Sequence, residues 1–222
     1  MNLSTKRLAG ICLGLGFCLP ARSGGIDQAW TLGAPEPPAI ATPAASASGP
    51  SPARKYQLGE AQYQAPDVGL IDADGGGVAL RPFLAAEGPV LLQFVFVTCS
   101  TVCPLLSASL SSAQTELNAL SGGKHRLISI SIDPEQDTPE QLRDYAKRFK
   151  AGGNWHFLTG QPDDIKAVLQ AFDASYSSGN KMYHKPLTFM RRSPDAVWRR
   201  IDGLLGKQDL IAEYRRTMGL SD

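Results

Sequence analysis

Between Val90 and Val97 the sequence runs Val-Leu-Leu-Gln-Phe-Val-Phe-Val, nearly unbroken in apolar, β-favouring side chains, and it stops abruptly at Thr98-Cys99. A run of that length and kind is what a strand looks like when both of its faces are covered, as in a parallel sheet. Four residues after Cys99 come Cys103 and Pro104, and Pro is suited to the first turn of a helix. Leu106, Leu110, Ala113, Leu117 and Leu120 then recur at helical steps until Gly122-Gly123 stops them. The chain therefore commits early to a strand, turn, helix unit with two cysteines in the turn.

The same kind of unit returns twice. Leu127 to Ile132 reads as a strand, and Asp137-Thr-Pro-Glu140 caps a helix carrying Leu142, Tyr145, Ala146 and Phe149. Trp155 to Leu158 reads as a short strand, and Pro162 opens a helix with Ile165, Val168, Leu169 and Phe172. A hairpin follows, with strands at 187–192 and 196–201 around Ser193-Pro194-Asp195, and a last helix passes through Leu210, Ile211 and Tyr214. Alternating β and α units closed by a hairpin and a helix predict a thioredoxin-like, three-layer α/β fold around a central mixed sheet.

The N-terminal quarter has a different character. Lys6 and Arg7 precede an apolar run from Leu8 to Leu19, and Pro20-Ala21-Arg22-Ser23 offers a small-residue cleavage site, so residues 1–23 read as a signal peptide, or as a retained anchor. A lipoprotein reading fails because Cys18 follows the bulky Phe17 and Cys12 follows Ile11. Residues 24–56 are rich in Pro, Ala, Ser and Gly and read as a tether, because they bury too little apolar surface to offset the entropy of ordering. Residues 57–222 form the folded domain. An exported chain of this kind belongs in the periplasm, free or tethered on the periplasmic side of the inner membrane.

Cleavage after Ser23 removes Lys6, Arg7 and Arg22 and no acid, leaving 19 basic against 21 acidic side chains. That balance lacks the cationic excess that nucleic-acid binding requires. Cleavage also removes Cys12 and Cys18, so Cys99 and Cys103 stand as one pair in an oxidising compartment.

Two thiols just ahead of a helix meet unpaired backbone N–H groups and the positive end of the helix dipole, which eases thiolate formation. The plainer alternative is a structural disulfide, but a loop of about five residues is worth only about 2 kcal/mol in the chain-entropy model. His184 enters the same site if the segment His184-Lys-Pro-Leu-Thr-Phe189 occupies the place where thioredoxin-like folds bring an often cis prolyl bond against the cysteine turn. Two thiolates and one imidazole suit copper, whereas structural zinc calls for a fourth protein ligand that the sequence does not supply nearby.

Other candidates have plainer readings. His125 lies in a loop, His156 lies in a strand, and Met182 is a soft thioether two residues before His184, which ordinarily packs, with contact to a metal left open. Asp133 ends a strand and Asp137 caps a helix, with an outer role for Asp133 toward a metal left open. Lys181, Lys185, Arg191, Arg192, Arg199 and Arg200 gather along the hairpin, either as a solvated face or as a dock for an acidic partner.

At these residues the chain resembles the Sco/SenC family of copper chaperones and thiol redox proteins. The matching pieces are Phe96 to Pro104, Ser131 to Pro139, Tyr145 to Phe149, Trp155 to Gly160, and then His184, in the family's order. The resemblance implies a thioredoxin-like fold and copper, Cu(I) and Cu(II) both being candidates, held by Cys99, Cys103 and His184. It also implies maturation of the dinuclear CuA centre of cytochrome c oxidase, with that enzyme's copper-bearing subunit, or another copper protein, and a thiol reductant as partners. The chain departs from many members at Ser100, where Pro is common, and at Met-Tyr-His184, where an Asp-His pair is common.

Two functions of different classes follow. One is a metallochaperone that passes copper by ligand exchange. The other is a thiol-disulfide reductase, in which one thiolate attacks a client disulfide, the second resolves the mixed disulfide, and His184 is dispensable. A peroxidase reading lacks the Pro and Thr that precede a peroxidatic cysteine.

Overall fold

The computed structural model describes residues 55–176 and 180–221. The signal-peptide reading of residues 1–23, and the tether reading as far as residue 54, lie outside the described residues. Eight strands form one sheet: β1 (Gln57–Ala61), β2 (Gly69–Asp72), β3 (Gly77–Ala79), β4 (Val90–Val95), β5 (Arg126–Ser131), β6 (Trp155–Gly160), β7 (Leu187–Arg191) and β8 (Trp198–Asp202). Five helices accompany them: α1 (Leu80–Ala85), α2 (Val102–Ser121), α3 (Pro139–Arg148), α4 (Pro162–Ala171) and α5 (Lys207–Met218). Among the described residues no helix is long and apolar enough to cross a membrane.

The spatial order of the sheet is β1-β8-β7-β4-β5-β6-β2-β3. Strands β4, β5 and β6 are parallel, and every other neighbouring pair is antiparallel. The sheet is mixed, as predicted, with its parallel centre made by the two crossovers through α2 and α3.

Pleating sorts β4 to two cores. Val90, Leu92 and Phe94 join one apolar cluster with Leu80, Leu84, Ile165, Val168 and Phe172, which brings α1 and α4 onto that face. Leu91 faces the other way, into a cluster with Leu110, Ala113, Leu117, Leu142, Tyr145, Leu210 and Tyr214, which brings α2, α3 and α5 onto the opposite face. Three layers result. Gly122 closes α2 in the left-handed conformation, at φ 60°, its N–H donating to the Asn118 carbonyl.

Two local expectations are corrected. Helix α3 is capped by Thr138, not Asp137: its side chain accepts from the Gln141 N–H, and the Gln141 side chain reaches back to the Thr138 N–H. The cis bond at Pro186 is absent, since every peptide bond among the described residues is trans. A one-turn 3-10 helix, Lys181–Tyr183, leads into an extended His184 at φ −62°, ψ 130°, and no tight turn at Pro186 offsets the ordinary trans preference.

Candidate metal and thiol site

Strand β4 stops pairing at Val95, two residues earlier than its apolar run suggests. The reason lies 40 residues downstream, where the Asp137 carboxylate accepts from the Val97 N–H through both oxygens, at 3.2 Å. That bond turns the chain out of the ladder, and Cys99 N–H then donates to the Phe96 carbonyl at 3.2 Å. The result is a tight turn that sets both cysteines at the mouth of α2, outside the carboxyl ends of the parallel strands. Open α/β sheets place their sites there.

No side chain makes the customary cap on α2. The Cys99 sulfur takes that place, accepting from the backbone N–H groups of Cys103 and Thr101, with the Thr101 hydroxyl 3.6 Å away. Burial raises the Cys99 thiol, but these bonds and the neighbouring Cys103 thiol together bring it below the ordinary value. Cys103 moves the opposite way. Burial pushes it up strongly, a bond from the Phe96 backbone offsets only part, and the nearby Cys99 and Asp137 charges add to the rise. Both thiols are free, and Cys103 is fully buried. The two thiols are thus unequal, Cys99 eased toward thiolate and Cys103 held protonated.

His184 reaches the same end of the sheet from β7. Strands β4 and β7 pair with Gln93 opposite Thr188 and Leu92 opposite Phe189. His184 precedes β7 by three residues, at the end of the strand that pairs with the cysteine-bearing end of β4. The turn before it is pinned: the Lys181 ammonium pairs with the Asp133 carboxylate and lies 5.7 Å from the Phe96 ring centroid. Asp133 in turn follows β5, its N–H donating to the Ser131 hydroxyl oxygen at 3.0 Å. Ser131 donates that hydroxyl to Asp137 at 2.6 Å. The elements bearing the cysteines and the histidine are therefore tied together through Asp133, Asp137, Ser131 and Lys181.

The imidazole is 4% exposed, and neither ring nitrogen has a hydrogen-bond partner. Burial lowers it to about 4, so the ring is neutral near pH 7. A buried imidazole left without partners is costly, on the order of 1–3 kcal/mol. Among the described residues, no three His, Cys, Asp or Glu side chains stand in a ready-made metal cage. The fold brings the two thiols together and brings the His184 segment to their turn, without closing the ring onto the sulfurs.

The remaining candidates go elsewhere. His125 is buried, its Nδ1 2.8 Å from the Ser121 hydroxyl, and His156 packs edge-on against Phe83. The basic cluster is largely engaged within the chain: Lys185 pairs with Asp202, Arg199 with Glu60 and Glu213, and Arg200 donates to the Asp173 carbonyl. Arg191 is buried against the Leu84 and Pro194 carbonyls. The sequence placed Lys181 in a basic cluster and Ser131 in a family-like stretch without showing that they support the site, and it gave Asp137 the wrong task. The only hint was the alternation in Ser129-Ile-Ser131-Ile-Asp133, which turns polar side chains to one face of β5.

The SCO1/SenC family model matches residues 60–219. The chain belongs to the SCO1/SenC family. The SCO1 protein homolog of Bacillus subtilis strain 168 is 34% identical over 116 residues, covering 50% of this chain and 58% of the Bacillus protein. The mitochondrial SCO1 homolog of Homo sapiens is 33% identical over 95 residues, covering 41% of this chain and 30% of the human one. In both, the match spans less than two thirds of the relative's length.

Solved structures agree on the fold. BsSco, a member of the Sco family of cytochrome c oxidase assembly proteins in which a disulfide switch has been identified, superposes with a TM-score of 0.59 at 28% identity. That match covers 73% of this chain and 98% of BsSco. Arabidopsis thaliana ScoI with copper bound gives a TM-score of 0.56 at 25% identity, covering 69% of this chain and 99% of ScoI.

Proposed function

We propose that this SCO1/SenC protein is a copper metallochaperone that carries the ion on Cys99, Cys103 and His184 and serves maturation of the CuA centre of cytochrome c oxidase. The observation that carries the reading is His184, a neutral, buried imidazole with two unpartnered nitrogens, on a segment whose Lys181 pairs with Asp133 and lies over the Phe96 ring that leads into the cysteine turn. A protein gains nothing in stability from such a ring, and a soft or borderline metal supplies the partner it lacks. The copper-bound ScoI structure supports the same ion.

The residues divide the work by their protonation. Cys99, eased toward thiolate by the helix mouth, is the first of the two thiols to engage an incoming ion. Cys103, held protonated by burial, gives up its proton only as the ion arrives, so loading and release are coupled to pH. His184 needs no deprotonation. We place the protein outside the cytoplasm, on the periplasmic side, with residues 1–23 as the export signal or anchor, 24–56 as the tether and 57–222 as the working domain.

The unequal thiols favour a second reading. A low thiol that attacks and a buried one that resolves is the arrangement of a thiol-disulfide reductase, and BsSco is a protein with a disulfide switch. One experiment separates the two. The reduced protein is titrated with Cu(I) against a competing chelator, beside a His184→Ala variant. The chaperone reading expects one tight site, weakened more than about tenfold by the substitution. Weak binding, or binding indifferent to His184 while client disulfides are still reduced, would leave the reductase standing alone.

A further inference from the structure

All three residues proposed to hold copper are covered: Cys99 is 5% exposed, His184 4%, and Cys103 is fully buried. An ion handed over by another protein must first meet something on the surface. Met182 is there. It is 52% exposed, and it is the one exposed methionine among the described residues, since Met190 is fully buried and Met218 is half-buried.

Its exposure is not that of a loose loop. The Met182 N–H donates to Asn180 Oδ1 at 2.9 Å, the preceding Lys181 is paired with Asp133, and the His184 N–H closes the turn on the Lys181 carbonyl at 3.0 Å. The turn therefore presents a thioether to solvent while the imidazole two residues on is buried and unpartnered. Two residues span at most about 7 Å between Cα atoms, so the thioether and the imidazole hang from nearby positions of one short turn. A thioether held at this exposed position offers what its equally exposed apolar neighbours do not: it ligates Cu(I), as a neutral donor with no proton to lose.

We propose that Met182 is the entry ligand for Cu(I), taking the ion from its donor and passing it inward to the covered site. The proposal rests on the copper reading above. Copper stays Cu(I) throughout. The bond from Met182 Sδ to copper forms as a donor ligand leaves, and it breaks as Cys99 Sγ binds; Cys103 and His184 then complete the set, and each thiol that becomes a ligand releases its proton to water. A weak ligand at the rim suits transit, because it holds the ion without competing with the two thiolates inside.

The test is stopped-flow transfer of Cu(I) from a coloured Cu(I) chelate to the reduced full chain, with the equilibrium affinity measured separately. Met182→Leu keeps the apolar surface and removes the sulfur. Transfer to it is expected to slow by about tenfold or more while the affinity stays within about twofold of the wild type, and His184→Ala is expected to lose affinity instead. Loading of Met182→Leu at the wild-type rate overturns the entry role and leaves the copper reading intact. A loss of affinity in Met182→Leu equal to that in His184→Ala also overturns it, by making Met182 a resident ligand. Failure of the wild type to bind Cu(I) at all removes the reading on which the proposal stands.

Discussion

Two ionisable side chains, Glu213 and His184, are buried in different parts of this molecule, and the fold treats them in opposite ways. Glu213, fully buried on α5, accepts from Tyr56 at 2.8 Å, from Arg199 at 3.1 Å and from Arg216 at 2.6 Å. His184, equally hidden at the carboxyl ends of the central strands, has no partner at either nitrogen. The first arrangement ties β1, β8 and α5 together and is complete without help from outside. The second is incomplete, and a buried imidazole left incomplete on a segment tied to the neighbourhood of two free thiols invites an exogenous partner.

The contrast is breakable. Glu213→Ala removes the buried acceptor that Arg199, still paired with Glu60, and the exposed Arg216 donate to, and is expected to cost about 3 kcal/mol, read from the urea midpoint at constant slope. A loss below about 1 kcal/mol would mean that the cluster is decoration. The next effect belongs to His184 and to pH. Its imidazole takes a proton at about 6.5 in the unfolded chain but only at about 4 when folded. The unfolded state therefore binds more protons between those values, so stability is full above pH 6.5 and falls as the pH drops toward 4, by about 3 kcal/mol. His184→Leu should flatten that slope and, at pH 7 without metal, should cost nothing or stabilise slightly. An unchanged pH profile in the variant would show that the ring is not the group held neutral.

The sequence was most legible where local pattern and tertiary role agree. Helix α2 and strands β4 and β5 were plain because their apolar spacing is set by burial on both sides. Residues 57–85 were opaque for the converse reason. Strand β1 is almost wholly exposed and is held by distant partners, Gln57 facing Asp202 in β8 and Glu60 pairing with Arg199, while β3 is three residues long. Such strands exist through partners far away in the chain, and no local period announces them. The same holds within the site. The cysteine pair before Pro104 is a local signal, but the bond from Asp137 to Val97 joins residues 40 positions apart, and the cap at Thr138, readable from Thr-Pro-Glu-Gln141, was masked by the adjacent Asp. Most of the site's support is of this long-range kind, including the Lys181 to Asp133 pair that fixes the turn before His184.

The central claim is that His184 waits, neutral and unpartnered, for an ion shared with Cys99 and Cys103. Side-chain nitrogen NMR of the reduced chain at pH 6 reads this directly, before and after one equivalent of Cu(I). The account expects a neutral His184 ring in the free protein, and one of its nitrogens displaced by the metal while His125 and His156 stay still. A His184 ring already protonated at pH 6, or one indifferent to copper, would contradict it.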